Sequence, residues 1–142
     1  MTTPLEVIET WFQRVWKEED ATAIDELFVP DGKAMGLGAN VLIGPEGFKQ
    51  FHARLLGIVS GVEVSVDKVI HSGDWSAAVC TLRAKARTNG RPVVMTGSVM
   101  VRIVDGKILE AYNHWDFLGL FSQLELLPAG SFETALSGAK VV

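Results

Sequence analysis

The residues best suited to chemistry lie close together near the end of the last strand-like segment, where Tyr112, His114 and Asp116 alternate with Asn113 and Trp115. Successive side chains of a strand point to opposite faces, so the first three are predicted to share one face, at intervals of about 7 Å. A carboxyl group placed among aromatic side chains is desolvated, which suits it to take a proton from a carbon next to a carbonyl. The pattern therefore predicts Asp116 as an acid/base group, with His114 orienting it or shuttling a proton.

A purely structural role is the alternative interpretation of the same residues. Phe117 to Leu124 has the pattern of a short helix, and an aspartate just before a helix is a good N-cap. Capping alone would account for Asp116, and a lone strand histidine is more often structural than catalytic. Tyr112 and Asn113 are candidates for polar contacts with a ligand, with core packing and strand pairing as the alternatives.

Helices are predicted in the first part of the chain. Thr3 and Glu6 have the spacing of a capping box, which predicts a helix start. The apolar face of this helix carries Leu5, Ile8, Phe12 and Val15, widened by Trp11 and Trp16. A second helix is predicted over residues 21–28, with Asp20 as its N-cap candidate and the turn-forming residues 29–32 as its stop.

A third helix is predicted to begin at Pro45 and to end at Ser60-Gly61. The hydrophobic period then changes from that of a helix to that of a strand. Four strands are predicted, over residues 62–72, 75–88, 92–104 and 107–117. Asn89-Gly90 and Asp105-Gly106 are strong hairpin signals, so these strands form an antiparallel meander.

Helices followed by strands predict an α+β domain, in which about three N-terminal helices cover a curved antiparallel sheet. We expect this domain to span residues 1–128, with 129–142 as a C-terminal tail that is loosely ordered or borrowed by a partner chain. Trp75, Ala77 and Val79 place apolar side chains on the outward parity of a middle strand. This pattern favours a homodimer packed through the outer face of the sheet.

Composition excludes several classes of function. The chain has 142 residues and a net charge of -4, the wrong sign for a protein that binds nucleic acid through its phosphates. Cys80 is the only cysteine and the three histidines are far apart, so neither an internal disulfide nor a metal site is expected. The sequence contains no pattern of a secretion signal or a membrane span, and we expect a cytoplasmic protein.

A set of short motifs carries a family resemblance. The chain combines a helical hairpin, the helix start Gly44-Pro45-Glu46-Gly47, the turn at 105–108, and His114-Trp115-Asp116 followed by residues 118–124 (LGLFSQL) and Leu127-Pro128. In this order, over about residues 4–128, it resembles the SnoaL-like polyketide cyclases of the nuclear transport factor 2-like superfamily. Where that family has Gln-Leu-Gly, this chain has Gln123-Leu124-Glu125.

The resemblance implies a conical α+β barrel with a deep apolar cavity, usually dimeric, and an acid/base aspartate near the end of the last strand, matching Asp116. It implies neither cofactor nor metal. The side chains expected to shape the cavity are Trp11, Phe12, Trp16, Met35, Phe48, Phe51 and Met95. Residues of these types at such spacings are also ordinary core residues.

Two functions follow as hypotheses. The first is acid/base chemistry without a cofactor on a small hydrophobic molecule that contains a carbonyl, such as an aldol-type cyclisation or a related isomerisation. The second is a non-catalytic protein that binds a small hydrophobic molecule. Proteins that share a fold often share the position of a site but differ in the reaction. Epoxide hydrolysis, as in limonene-epoxide hydrolase, is a minor alternative, since the middle strand with Arg83 lacks the second aspartate that it requires.

Overall fold

The structure is a computed structural model that describes residues 2–142. Helix α1 (Pro4–Trp11) begins with the predicted capping box, in which Thr3 Oγ1 accepts from the Glu6 N–H at 3.1 Å and the Glu6 carboxylate accepts from the Thr3 N–H at 3.0 Å. Beyond Trp11 the chain continues as a π-helical segment, Phe12–Lys17. This wider turn is rare in proteins and frequent at functional sites.

The second helix lies where it is predicted, whereas the third helix ends at Leu56, before the predicted stop at Ser60-Gly61, because those two residues already belong to a strand. Helix α2 spans Thr22–Leu27, and Asp20 Oδ1 accepts from the Thr22 N–H at 3.0 Å, so this carboxylate stabilises the helix start from just outside it. Strand β1 (Phe28–Met35), strand β2 (Leu42–Ile43) and helix α3 (Gly44–Leu56) come next.

The predicted end of α2 is correct, but the turn predicted at residues 29–32 is wrong, because these residues belong to strand β1. Pro30 and Gly32 are turn-forming residues, but here they lie in an irregular stretch of β1, where the pairing register with the last strand shifts between Phe28 and Lys33. Proline is tolerated at such a bulge because its missing N–H is not needed there. Pairing with a distant strand thus overrides the local turn signal.

The remaining elements are β3 (Val59–Ser72), β4 (Trp75–Ala86), β5 (Pro92–Val104), β6 (Lys107–Trp115), α4 (Phe117–Gln123) and α5 (Ser131–Leu136). The sheet order is β2-β1-β6-β5-β4-β3. The meander from β3 to β6 and the α+β class with a curved sheet are confirmed. The sheet is not wholly antiparallel, because β1 pairs with β6 in parallel.

Helix α4 is fastened to the sheet by Gln123. Its side-chain amide accepts from the Val94 N–H at 2.9 Å and donates to the Val94 carbonyl at 2.7 Å. Strand β6 ends at Trp115, opposite Gly97, so it offers Val94 no partner. Gln123 supplies the hydrogen bonds that a longer β6 would have made, so this residue of the LGLFSQL segment (118–124) has a structural role.

The tail contains more order than its composition predicts, because residues 131–136 form α5. Ser131 is buried and donates its hydroxyl hydrogen to the Pro128 carbonyl. Phe132 and Leu136 project from α5 with exposed side chains.

The inner face of the sheet follows the predicted parity. On β4 the buried apolar side chains are Ala78, Cys80, Leu82, Ala84 and Ala86. Burial raises the pKa of the Cys80 thiol to about 11, so this group is a packed and unreactive one. No helix in residues 2–142 combines the length and the apolar character that crossing a membrane requires.

Glu125 stands where the resembled family has a glycine, and its φ is positive, at 59°. A residue with a Cβ is strained there, and its ion pair with Arg91 is exposed on both sides and therefore weak. We expect Glu125→Gly to raise the free energy of unfolding by about 0.5–1 kcal/mol, measured by urea denaturation. A loss of stability would show that the Arg91 contact outweighs the strain.

Candidate functional site

A cavity with a free volume of about 60 Å³ lies between the helices and the concave face of the sheet. Eight aromatic side chains form part of its wall, and they come from α1, the π-helical segment, β1, α3 and the β6–α4 corner. They are Trp11, Phe12, Trp16, Phe28, Phe48, Phe51, Trp115 and Phe117. Aliphatic side chains and Met95 complete the lining, so the interior is suited to an apolar molecule.

Asn113 is the one polar exception among the cavity-lining residues within 2–142. Its Nδ2 donates to the Met35 carbonyl at the end of β1, at 3.1 Å, and this bond fixes the orientation of the amide. The side-chain oxygen Oδ1 and the second N–H of Nδ2 make no hydrogen bond within the described chain. The amide can therefore accept from a ligand hydroxyl or donate to a ligand carbonyl.

The predicted catalytic face does not line the cavity. The inward residues near the end of β6 are Ala111, Asn113 and Trp115, whereas Tyr112 and His114 point to the outer face of the sheet. Ile108 is also buried, although it lies an odd number of positions from Ala111. The β5–β6 register shifts at this point, and a shift of one residue moves every later side chain to the other face.

Asp116 is exposed and serves as the N-cap of α4, with its Oδ1 accepting from the Gly119 N–H at 2.9 Å. His114 is exposed opposite Ser98 on the outer face. The apolar surroundings predicted for the Asp116 carboxyl group are therefore absent in the described chain. Capping, the alternative interpretation of this residue, is the role that the geometry displays.

Tyr112 belongs to a polar cluster on the outer face. Its hydroxyl donates to Glu110 at 2.9 Å, and the Arg102 Nε also donates to Glu110, at 3.1 Å. The hydrogen bond to Glu110 raises the pKa of Tyr112, while the bonds from Tyr112 and then Arg102 lower the pKa of Glu110. These contacts bind β5 to β6 and lie away from the cavity.

Most of the predicted cavity-shaping side chains lie in the wall. Trp11, Phe12, Trp16, Phe48, Phe51 and Met95 all line the cavity. Met35 does not, because its side chain faces the outer hollow beside Tyr112, and only its backbone carbonyl reaches Asn113.

Trp115 and Phe117 also line the cavity, although the sequence pattern does not single them out as lining residues. The structure buries His52, with Nε2 2.6 Å from the Val15 carbonyl and the ring 4.9 Å from that of Trp16. His52 thus supports the π-helical segment from behind the cavity wall, and its place on the apolar face of α3 was the available signal.

The capping role of Asp116 has a direct test. Asp116→Asn keeps an oxygen that can accept from Gly119, so we expect stability close to that of the wild type. Asp116→Ala removes the acceptor and should lower the free energy of unfolding by about 1 kcal/mol. Urea denaturation of both variants measures this difference, and equal losses would contradict the capping role.

Within residues 2–142, no group of three or more His, Cys, Asp or Glu side chains is placed to hold a metal ion. His114 and Asp116, the two predicted catalytic residues, lie outside the cavity. They line a shallow hollow on the outer face together with Thr96 and Ser98. The cavity itself offers shape, apolar surface and one amide.

Comparison with known proteins agrees with this architecture. The family model described as SnoaL-like polyketide cyclase matches residues 6–124. No curated protein sequence matches the chain.

Several solved structures share the fold. IdmH from Streptomyces antibioticus, named as a candidate polyketide cyclase, is 22% identical with a TM-score of 0.75, and the match covers 87% of this chain and 99% of IdmH. TsrD from Streptomyces laurentii is 21% identical with a TM-score of 0.72, covering 87% and 95%. A protein of Catenulispora acidiphila with a ketosteroid isomerase-like fold, solved with trimethylamine, is 21% identical with a TM-score of 0.73, covering 87% and 95%.

Proposed function

The chain belongs to the SnoaL-like polyketide cyclase family, and on that premise we propose that its cavity binds a small hydrophobic molecule that bears a carbonyl or hydroxyl oxygen. The observation that carries the proposal is the composition of the wall, where aromatic and aliphatic side chains surround the amide of Asn113. Apolar surface supplies the affinity, and the amide orients the ligand through its oxygen.

The size of the cavity limits how such a molecule binds. A free volume of about 60 Å³ is well below the roughly 300–1,000 Å³ of pockets that take drug-sized ligands. Phe51 and Phe117 are only partly buried, and their rings form part of the wall. A ligand with one or more rings therefore has to move these side chains as it enters.

Ring closure or isomerisation is the second candidate function, and the family match favours it. A preformed wall that folds a flexible chain towards its reactive shape lowers the barrier by orientation alone. A donor N–H of Asn113 would polarise a ligand carbonyl. An acid/base step requires a titratable group within reach of the ligand, and the wall formed by residues 2–142 contains no ionisable side chain. Binding is consequently the better supported of the two functions.

The proposal includes the oligomeric state and the location of the protein. Val79, Val94 and Met100 are exposed on the outer face of the sheet, which supports the homodimer expected through that face. A cytoplasmic location is also proposed, and the free buried thiol of Cys80 is compatible with a reducing compartment. We propose no nucleic acid or membrane as a partner.

Calorimetric titration with 2-naphthol and naphthalene tests the proposed function. The wild type should bind 2-naphthol about threefold to tenfold more tightly, because its hydroxyl donates to Asn113 Oδ1. Asn113→Leu should remove this preference while still binding naphthalene. Its thermal melt must be checked, since the Met35 carbonyl loses its donor at a cost of about 1–3 kcal/mol.

His114→Leu is the matched control, because it changes the neighbouring residue on the outer face. We expect it to bind both probes like the wild type. If the wild type binds neither probe, or if His114→Leu removes the preference as fully as Asn113→Leu, the proposed site is wrong.

A further inference from the structure

A second hollow, of about 650 Å³, adjoins the cavity. It shares Phe12 and Val64 with the cavity wall but is otherwise lined mostly by polar side chains. We call this hollow the polar groove. Its polar lining consists of Gln13 and Lys17 of the π-helical segment, Glu63 and Ser65 of β3, and Thr81 and Arg83 of β4. Phe12 and Val64 form the common boundary of the two hollows.

The π-helical segment joins the two environments. Phe12 and Trp16 lie in the cavity wall, whereas Gln13 and Lys17, each one residue further along, lie in the polar groove. A single stretch of backbone therefore places aromatic side chains against the apolar part of a ligand and polar side chains beside whatever extends past Phe12. A uniformly apolar ligand would gain nothing from the groove, so the arrangement favours an amphipathic one.

The charges of the polar groove are unevenly paired. Lys17 Nζ lies 3.1 Å from Glu63 Oε1, so these two largely neutralise each other. The hydroxyls of Thr81 and Ser65 donate to Asp67, at 2.6 Å and 2.8 Å, and these bonds, together with the nearby positive charge of Arg83, lower the pKa of that carboxyl. These groups already have partners within the protein.

Arg83 is different. Among residues 2–142, no carboxylate lies within 4 Å of its guanidinium group, and its side chain makes no hydrogen bond there. Glu9 also lines the hollow, from α1, so the groove as a whole carries no excess of positive charge. The selectivity must therefore come from the geometry of Arg83, whose planar group of N–H donors matches a carboxylate with two parallel hydrogen bonds.

We propose that the ligand of this protein is an amphipathic carboxylate, whose apolar part enters the cavity while its carboxylate binds Arg83 in the polar groove. The inference rests on the proposed function, since it takes the cavity as the site of the apolar part. It assigns Arg83 a role in choosing between ligands with similar apolar parts.

The experiment compares 4-phenylbutanoate with 4-phenylbutanamide by calorimetric titration, since the two share a ring and a flexible chain and differ in charge. The wild type should bind the carboxylate at least about tenfold more tightly than the amide. Arg83→Gln should bring the two affinities together by weakening the carboxylate alone.

Lys85→Gln is the control, because Lys85 lies two positions along the same exposed face of β4 and outside the polar groove. It removes the same charge and should keep the tenfold preference. Equal affinities in the wild type, or equal losses in Arg83→Gln and Lys85→Gln, would overturn the role of Arg83 while leaving the proposed function standing. Binding of neither probe, together with no binding of naphthalene, would overturn both.

Discussion

Gly36→Ala is expected to lower the free energy of unfolding by more than about 3 kcal/mol. Gly36 has φ of 87°, and a Cβ built on it would lie 1.7 Å from the Asn113 carbonyl oxygen. That contact is with backbone rather than with a movable side chain, so β1 and β6 must separate to relieve it. The backbone that holds the Asn113 amide would move with them.

Thermal melting and 2-naphthol titration measure the two consequences of Gly36→Ala. We expect the melting temperature to fall by about 10 °C or more, and the preference for 2-naphthol over naphthalene to disappear. Gly38→Ala is the matched control, since Gly38 also has a positive φ, of 126°, but a Cβ there would meet nothing within 4 Å. It should cost only about 1 kcal/mol. Similar losses in the two variants would show that backbone strain, and not the contact with Asn113, sets the effect.

The elements predicted correctly are those whose signals are local. The capping box of Thr3 and Glu6 acts over one helical turn, and the change of period beyond residue 61 needs only neighbouring residues to be detected. Asn89-Gly90 and Asp105-Gly106 place a glycine where φ is positive, at 72° and 73°. Hairpins of this kind are specified by the two residues of the turn itself.

The features that were missed depend on contacts between distant parts of the chain. Strand β1 exists because it pairs with β6, as in Ala34 opposite Ala111, and Pro30 gives no sign of this partner. The irregular β5–β6 register near Leu109 is likewise a property of two strands together. Periodicity along β6 alone grouped Tyr112 with His114 correctly but could not tell which face was buried.

The one-residue shift in the β5–β6 register determines which side chains of β6 line the cavity. It turns the Asn113 side chain into the cavity and His114 away from it, so a wall expected to contain titratable groups contains an amide. The prediction of an aromatic cavity depends less on the register of β6, because bulky apolar side chains are buried in either register. Chemistry that depends on one side chain is harder to predict than a lining shared by many.

Phe48→Ala is expected to cost about 3–5 kcal/mol of stability and to enlarge the cavity at the same time. Phe48 is 5% exposed, and its ring makes edge-on contacts with four other aromatic rings. Its partners are Trp11, Trp16, Phe28 and Phe51, with ring centroids 4.9–6.2 Å away. Removing it leaves an apolar space that water does not fill readily.

The enlarged space should make the variant responsive to apolar ligands. We expect naphthalene to raise the melting temperature of Phe48→Ala more than that of the wild type, because binding to the folded state alone stabilises it. Phe132→Ala removes the same side chain from the exposed helix α5 and should change stability by less than about 0.5 kcal/mol, with no change in the response to naphthalene. If naphthalene stabilises Phe48→Ala no more than the wild type, the surrounding rings have collapsed into the space, and the wall is then too deformable to select a ligand by shape.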